Sequence, residues 1–149
     1  MTARLKLKAF DAEDLAVVSA AMQDALVAVK DIGWFRDENR VALVASRFRW
    51  EAPQGAGGEW SRTHSALVFD QVHGIKQRNM PTNAPEQLLD LLSLRLEENG
   101  AAQSIILDFA GSRAVRLDVG KLVCRLEDVG EPWPTWCRPD HPGDPEAWA

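Results

Sequence analysis

No apolar run in the chain approaches the ~20 residues that a membrane-spanning helix needs, so a membrane protein of that kind is not expected. Cysteine is scarce: Cys124 and Cys137 are the two present. Cytosolic proteins keep such thiols reduced, so free thiols are expected and a disulfide is not. Paired zinc-ligand spacings are missing too, because Cys137 and His141 form one isolated Cys-x3-His in a proline-rich stretch. Structural zinc sites carry three or four protein ligands at paired spacings, and the plainer reading is an ordinary thiol and a surface imidazole. No phosphate-binding loop is present either: Gly55-Ala56-Gly57-Gly58 lacks the Lys-Ser/Thr ending. Gly111-Ser112-Arg113 is read as a hairpin turn, not a nucleophile elbow, because a strand follows it. No nucleophile, base and metal ligand cluster in sequence, so no catalytic residue, metal or cofactor is assigned.

What is present is ordinary for a globular protein. Of 149 residues, 46% are hydrophobic and 26% charged, a size and balance that suit one domain. With 17 basic against 22 acidic residues the net charge is -5, which argues against non-specific nucleic-acid binding. Met1 to Lys8 alternates Lys and Leu where a signal peptide would show a continuous apolar core, so a cytoplasmic location is expected.

The dominant pattern is period two. Leu92, Leu94 and Leu96, then Ile105, Leu107 and Phe109, then Val115, Leu117 and Val119 each mark one face of a strand. The leader Leu5, Leu7, Ala9 can itself be a strand. Asp11 is placed to cap a helix over roughly 12 to 26, with Leu15, Val18, Met22 and Leu26 on its apolar side. A hairpin turning at Arg36–Arg40 follows, with its return strand over 41–50. A long strand over 62–78 changes its inward set near Asp70-Gln71 or Gly74, which predicts a bend or bulge. Strands at 88–98, 103–110 and 113–119 complete the meander. Val119, Leu122, Val123, Leu126 and Val129 then return to helical spacing ahead of Gly130, which predicts a closing helix. The expected architecture is α+β: six or seven antiparallel strands in a strongly bent sheet or partial barrel, pleckstrin-homology-like, with one helix before and one after. Residues 1–130 would form that domain, and 131–149, with five prolines and three of the six tryptophans, a C-terminal tail.

Two surfaces could carry function. Arg47 and Arg49 share one strand face, and His64, His73, Lys76 and Arg78 lie on the neighbouring strand. Together they could form the cleft of a small-anion or phosphate-binding protein, or of an enzyme acting on such a ligand, with the ligand held by bidentate contacts. The plainer alternative is a solvated sheet face with cross-strand pairs to acids. Trp34 and Trp50 read as core, whereas Trp133, Trp136 and Trp148 suit either an intramolecular latch or contact with a partner. Cys124 reads as a buried small hydrophobe. The leading functional expectation is a non-enzymatic module that binds a protein or peptide through a sheet edge or this tail, or that forms a homo-oligomer.

Arg4-Leu5-Lys6-Leu7 with Asp14-Leu15 and Gln23-Asp24-Ala25, then Arg47-Phe48-Arg49-Trp50-Glu51, then Leu126-Glu127-Asp128-Val129-Gly130-Glu131-Pro132-Trp133 together resemble one family. It is the bacterial family catalogued as domain of unknown function 2948. The resemblance implies a bacterial, cytoplasmic setting. It transfers no catalytic or binding residue, because the family has no assigned activity.

Overall fold

Residues 4–139 are described in a computed structural model of the chain. Ten strands and one α-helix follow in the order β1 (Lys6–Ala9), α1 (Ala12–Ala21), β2 (Ala25–Ala28), β3 (Ile32–Phe35), β4 (Arg40–Phe48), β5 (Trp60–Phe69), β6 (Val72–Arg78), β7 (Leu88–Asn99), β8 (Ala102–Phe109), β9 (Arg113–Val119) and β10 (Cys124–Thr135). The strands form one antiparallel sheet in the order β1-β10-β5-β4-β2-β7-β8-β9-β6, with β3 also paired to β4. This corrects the expected six- or seven-stranded meander flanked by two helices, and the pleckstrin-homology-like architecture with it.

The closing helix is replaced by β10. Leu122, Cys124, Leu126 and Asp128 are all buried, while Arg125 and Glu127 between them are exposed. Their spacing is two, and β10 pairs with β1 on one side and β5 on the other. Helical spacing emerged from the sequence because the carboxylate Asp128 does not count as core in a hydrophobic pattern, while the outward Val129 and half-buried Val123 do, and together with Leu122 and Leu126 they mimic a helical period. β10 also runs past residue 130 to Thr135, with a register shift between Val129 and Trp133. Gly130 sits in that shift with φ of 76°, a left-handed conformation that glycine adopts freely.

α1 starts where expected, with the Asp11 side chain accepting from the Asp14 N–H at 2.8 Å. It stops at Ala21, earlier than its apolar spacing suggests, because Asp24 turns left-handed at φ 63° and Ala25 enters β2. Leu15, Val18 and Met22 are buried and belong to the same core as the inward residues of the sheet. The long strand breaks at Asp70-Gln71 into β5 and β6. Gln71 has φ of 57°, and its carbonyl accepts from Gly120 N at 3.0 Å. Asp70 is held there by Arg40 at 2.8 Å and Arg125 at 3.2 Å. Because β5 lies in one half of the sheet and β6 at its far edge, this corner folds the sheet back on itself.

Candidate binding cleft

β2 runs alongside β7 from Ala25 to Ala28, and a 3-10 turn at Val29–Asp31 then carries the chain away to pair with β4 as β3. Beyond that turn β3 has β4 as its ladder partner, and β6 has β9. Each strand therefore has one edge without a ladder partner among the described residues, although the first residue of β6 is tied across the gap by Val72 N donating to the Asn39 carbonyl at 2.8 Å. The two strands flank a cleft of about 710 Å³. Ile32, Gly33 and Trp34 line it from β3, and His73, Gly74, Ile75 and Gln77 from β6. The buried Val41 and Val115 line it from β4 and β9, and Met80 and Pro81 from the loop after β6. That loop is tied to the 3-10 turn by Val29 N to the Gln87 carbonyl and Lys30 N to the Pro85 carbonyl, both at 3.0 Å. The lining is thus mixed, with apolar side chains from all four strands and Arg36, Asn39, His73 and Gln77 supplying polar groups.

The residues expected to share an anion site are spread over the molecule. Arg47 is 0% exposed, within the sheet. Its Nε and Nη2 donate to both carboxylate oxygens of Asp128 at 2.8 Å, and Nη1 and Nη2 donate to Glu51 at 2.9 and 2.8 Å. Nη1 donates again to the Phe48 carbonyl at 3.3 Å, so all five guanidinium N–H groups are engaged. Burial opposes the Arg47 charge, yet the hydrogen bonds from Asp128 and Glu51 outweigh it and raise the pKa. Asp128 also accepts from Ser65 at 2.6 Å and from Leu5 N at 2.9 Å. Burial pushes its carboxyl up, and these bonds hold it below the usual value. Arg49 donates to Ser61 at 2.9 Å. His64 is exposed and stacks on Trp133, with ring centroids 4.6 Å apart. His73 lies in the cleft, away from these, and Arg78 is on the outer face of β6 beside a smaller pocket.

The tail expectation divides similarly. Trp133 is within β10, opposite Arg62. Trp136 is 71% exposed, and Trp148 and His141 lie outside the described residues. Arg138 sits over both Trp50 and Trp60, at 5.8 and 5.7 Å from the ring centroids. Such cation–π stacking holds the start of the tail against the sheet. Cys124 is buried and its thiol is pushed up to about 12 by burial, so it is not a nucleophile. Cys137 is exposed.

Sequence reasoning missed the cleft residues Ile32, Ile75 and Gln77, and took Trp34 for core. One signal was available. The apolar run Ile32–Phe35, bounded by Lys30-Asp31 and Arg36-Asp37, is too short to cover a nine-residue return strand and the strand beyond it.

Fold and site together define an antiparallel-sheet protein with a cleft of mixed lining between two strand edges. The chain belongs to the family described as "Protein of unknown function (DUF2948)", whose model matches residues 5–141. No curated protein and no solved structure matches it. No helix among the described residues is long and apolar enough to cross a membrane.

Proposed function

We propose that the protein is a binding module that accepts an extended segment of a partner protein as an added strand in the cleft between β3 and β6. The observation that carries this reading is the pair of strands with one ladder partner each flanking one cleft that contains Ile32, Trp34, Ile75 and Val115. Unpaired backbone N–H and C=O groups need partners, and an extended peptide supplies them while its alternate side chains enter the cleft. A segment of about seven residues spans roughly 23 Å, which matches the seven residues of β6. Ile32, Trp34, Ile75 and Val115 favour apolar inward side chains in that segment. The complete engagement of Arg47 weighs against the small-anion alternative, because an anion would have to displace Asp128 or Glu51.

The test is hydrogen exchange on the intact chain with a peptide selected from a random extended library. Bound peptide should slow exchange at Ile32–Phe35 and Val72–Arg78, and Gln77→Trp, which fills the cleft from an exposed position, should weaken binding at least tenfold. Protection confined to other strands, or selection that yields no binder, would sink the reading.

A further inference from the structure

The outer face of β6 carries the chemistry that would select among such segments. Side chains alternate along a strand, so as Ile75 and Gln77 line the cleft, Lys76 and Arg78 project to the opposite face. There they line a second pocket, of about 260 Å³, with Arg95 of β7 and Arg116 of β9. Four cations converge in a chain of net charge -5. Two of them have close acidic partners: Arg116 lies 3.1 Å from Asp118, and Arg95 lies 2.8 Å from Asp108 and 2.6 Å from Glu97.

Lys76 and Arg78 differ. Both are exposed, and neither makes a hydrogen bond or an ion pair within 4 Å among the described residues. Their charges reach Asp118 and Asp108 only at longer range, where they add to the effects that hold those carboxyls low against the opposing effect of burial. On its paired side Lys76 stands directly opposite Arg116. Like charges at a directly opposed cross-strand position are unfavourable, and opposite charges there are favourable. On its open side β6 has no neighbour to supply the compensating charge.

Resting on the strand-addition reading above, we propose that the accepted segment alternates apolar and acidic side chains. Its apolar residues face Ile75 and the cleft, and its acidic residues lie beside Lys76 and Arg78. The occupant is therefore an acidic, extended stretch of a partner protein, read by the edge strand on both of its faces. The backbone ladder supplies sequence-independent attachment, the cleft selects apolar character at every second position, and the outer cations select charge at the positions between.

Three capped six-residue peptides separate this inference from the reading it rests on: alternating Val-Glu, Val-Gln and Val-Lys, each titrated against the intact chain by fluorescence anisotropy. The Val-Glu peptide should bind about tenfold tighter than Val-Gln, since two cross-strand charge pairs are gained, and Val-Lys should bind weakest. Raising the ionic strength should narrow the gap. In the double variant K76E/R78E, whose sites are exposed and whose fold is checked by circular dichroism, the order of Val-Glu and Val-Lys should invert. Equal binding of Val-Glu and Val-Gln overturns the charge selection and leaves strand addition standing. A Val-Glu preference that persists in K76E/R78E overturns the assignment to Lys76 and Arg78. Failure of all three peptides to bind overturns strand addition itself.

Discussion

Arg47 and Asp128 show how one buried ion pair can hold four segments together. The Arg47 guanidinium sits between Asp128 of β10 and Glu51 just beyond β4, while Asp128 also binds Ser65 of β5 and the backbone of Leu5 ahead of β1. A buried pair of this kind is not by itself a large net stabiliser, but removing one partner strands a charge in the interior, which costs about 3–5 kcal/mol. Asp128→Asn should therefore destabilise the chain by about that much in urea unfolding, whereas Glu51→Gln, whose carboxylate is 42% exposed, should cost about 1 kcal/mol or less. Asp128 has a folded-state pKa depressed below its ordinary 3.8. Its contribution is therefore present in full above that value and is lost as the pH falls through the lower, folded-state value. Unfolding midpoints followed downward from pH 7 should fall for the natural chain below about pH 4, and the gap to Asp128→Asn should close there. A gap that stays constant to pH 2 would refute this role. None of it was legible beforehand. Arg47 alternates with Phe48 and Trp50 in a way that reads as an outward arginine, and nothing local to it announces an acid 81 residues away.

Elements were legible where one face is apolar and the other polar. β7, β8 and β9 fall close to the expected 88–98, 103–110 and 113–119 because their alternation is clean. The turn between β8 and β9 was also legible: Phe109 pairs with Arg113 across the three-residue connection Ala110-Gly111-Ser112, in which Gly111 and Ser112 take positive φ angles of 84° and 59°. β10 escaped because its inward row contains a carboxylate, and the end of α1 escaped because Asp24 carries no breaker signature. The cleft escaped for another reason: it consists of strand edges, and edge pairing leaves no trace in the side-chain pattern. The corner between β5 and β6 was expected near Asp70-Gln71 or at Gly74; the chain turns at the first, a register shift falls between Val72 and Gly74, and the corner's geometry makes a prediction. A left-handed residue other than glycine is disfavoured by about 1–2 kcal/mol, partly offset in glycine by the entropy of its unfolded state. Gln71→Gly should thus raise stability by about 0.5 kcal/mol and Gln71→Val should lower it by more than 1 kcal/mol, read as shifts in the urea midpoint. A loss of stability in Gln71→Gly would mean that the side chain, not the backbone, matters at this corner.

At the scale of the whole molecule, the sheet is completed by its most distant segments. Lys6 is opposite Glu127 and Ala9 opposite Cys124, so β1 takes its ladder partner from the far end of the described chain. The partners of β10 come from before residue 10 and from 60–69, and those of β6 from 113–119. Long loops must close before these pairs form, and closure entropy precedes the gain from contact. The core residues of α1, the two halves of the sheet and β10 form one cluster, which leaves no separate nucleus to stabilise an early half. Refolding should accordingly be slow for a chain of this size, on the order of milliseconds to seconds. It should also be concerted, with far-ultraviolet circular dichroism and tryptophan fluorescence giving the same rate. The measurement is stopped-flow refolding after a brief unfolding pulse, short enough that X–Pro bonds keep their native isomers. Trp34 in β3 and Trp133 in β10 are separated by β4 and β5, so single-tryptophan variants retaining one or the other should refold with one shared time constant. Distinct time constants would mean that β3, at the cleft, and β10 are laid down in separate steps, and that the sheet does not form in one concerted event.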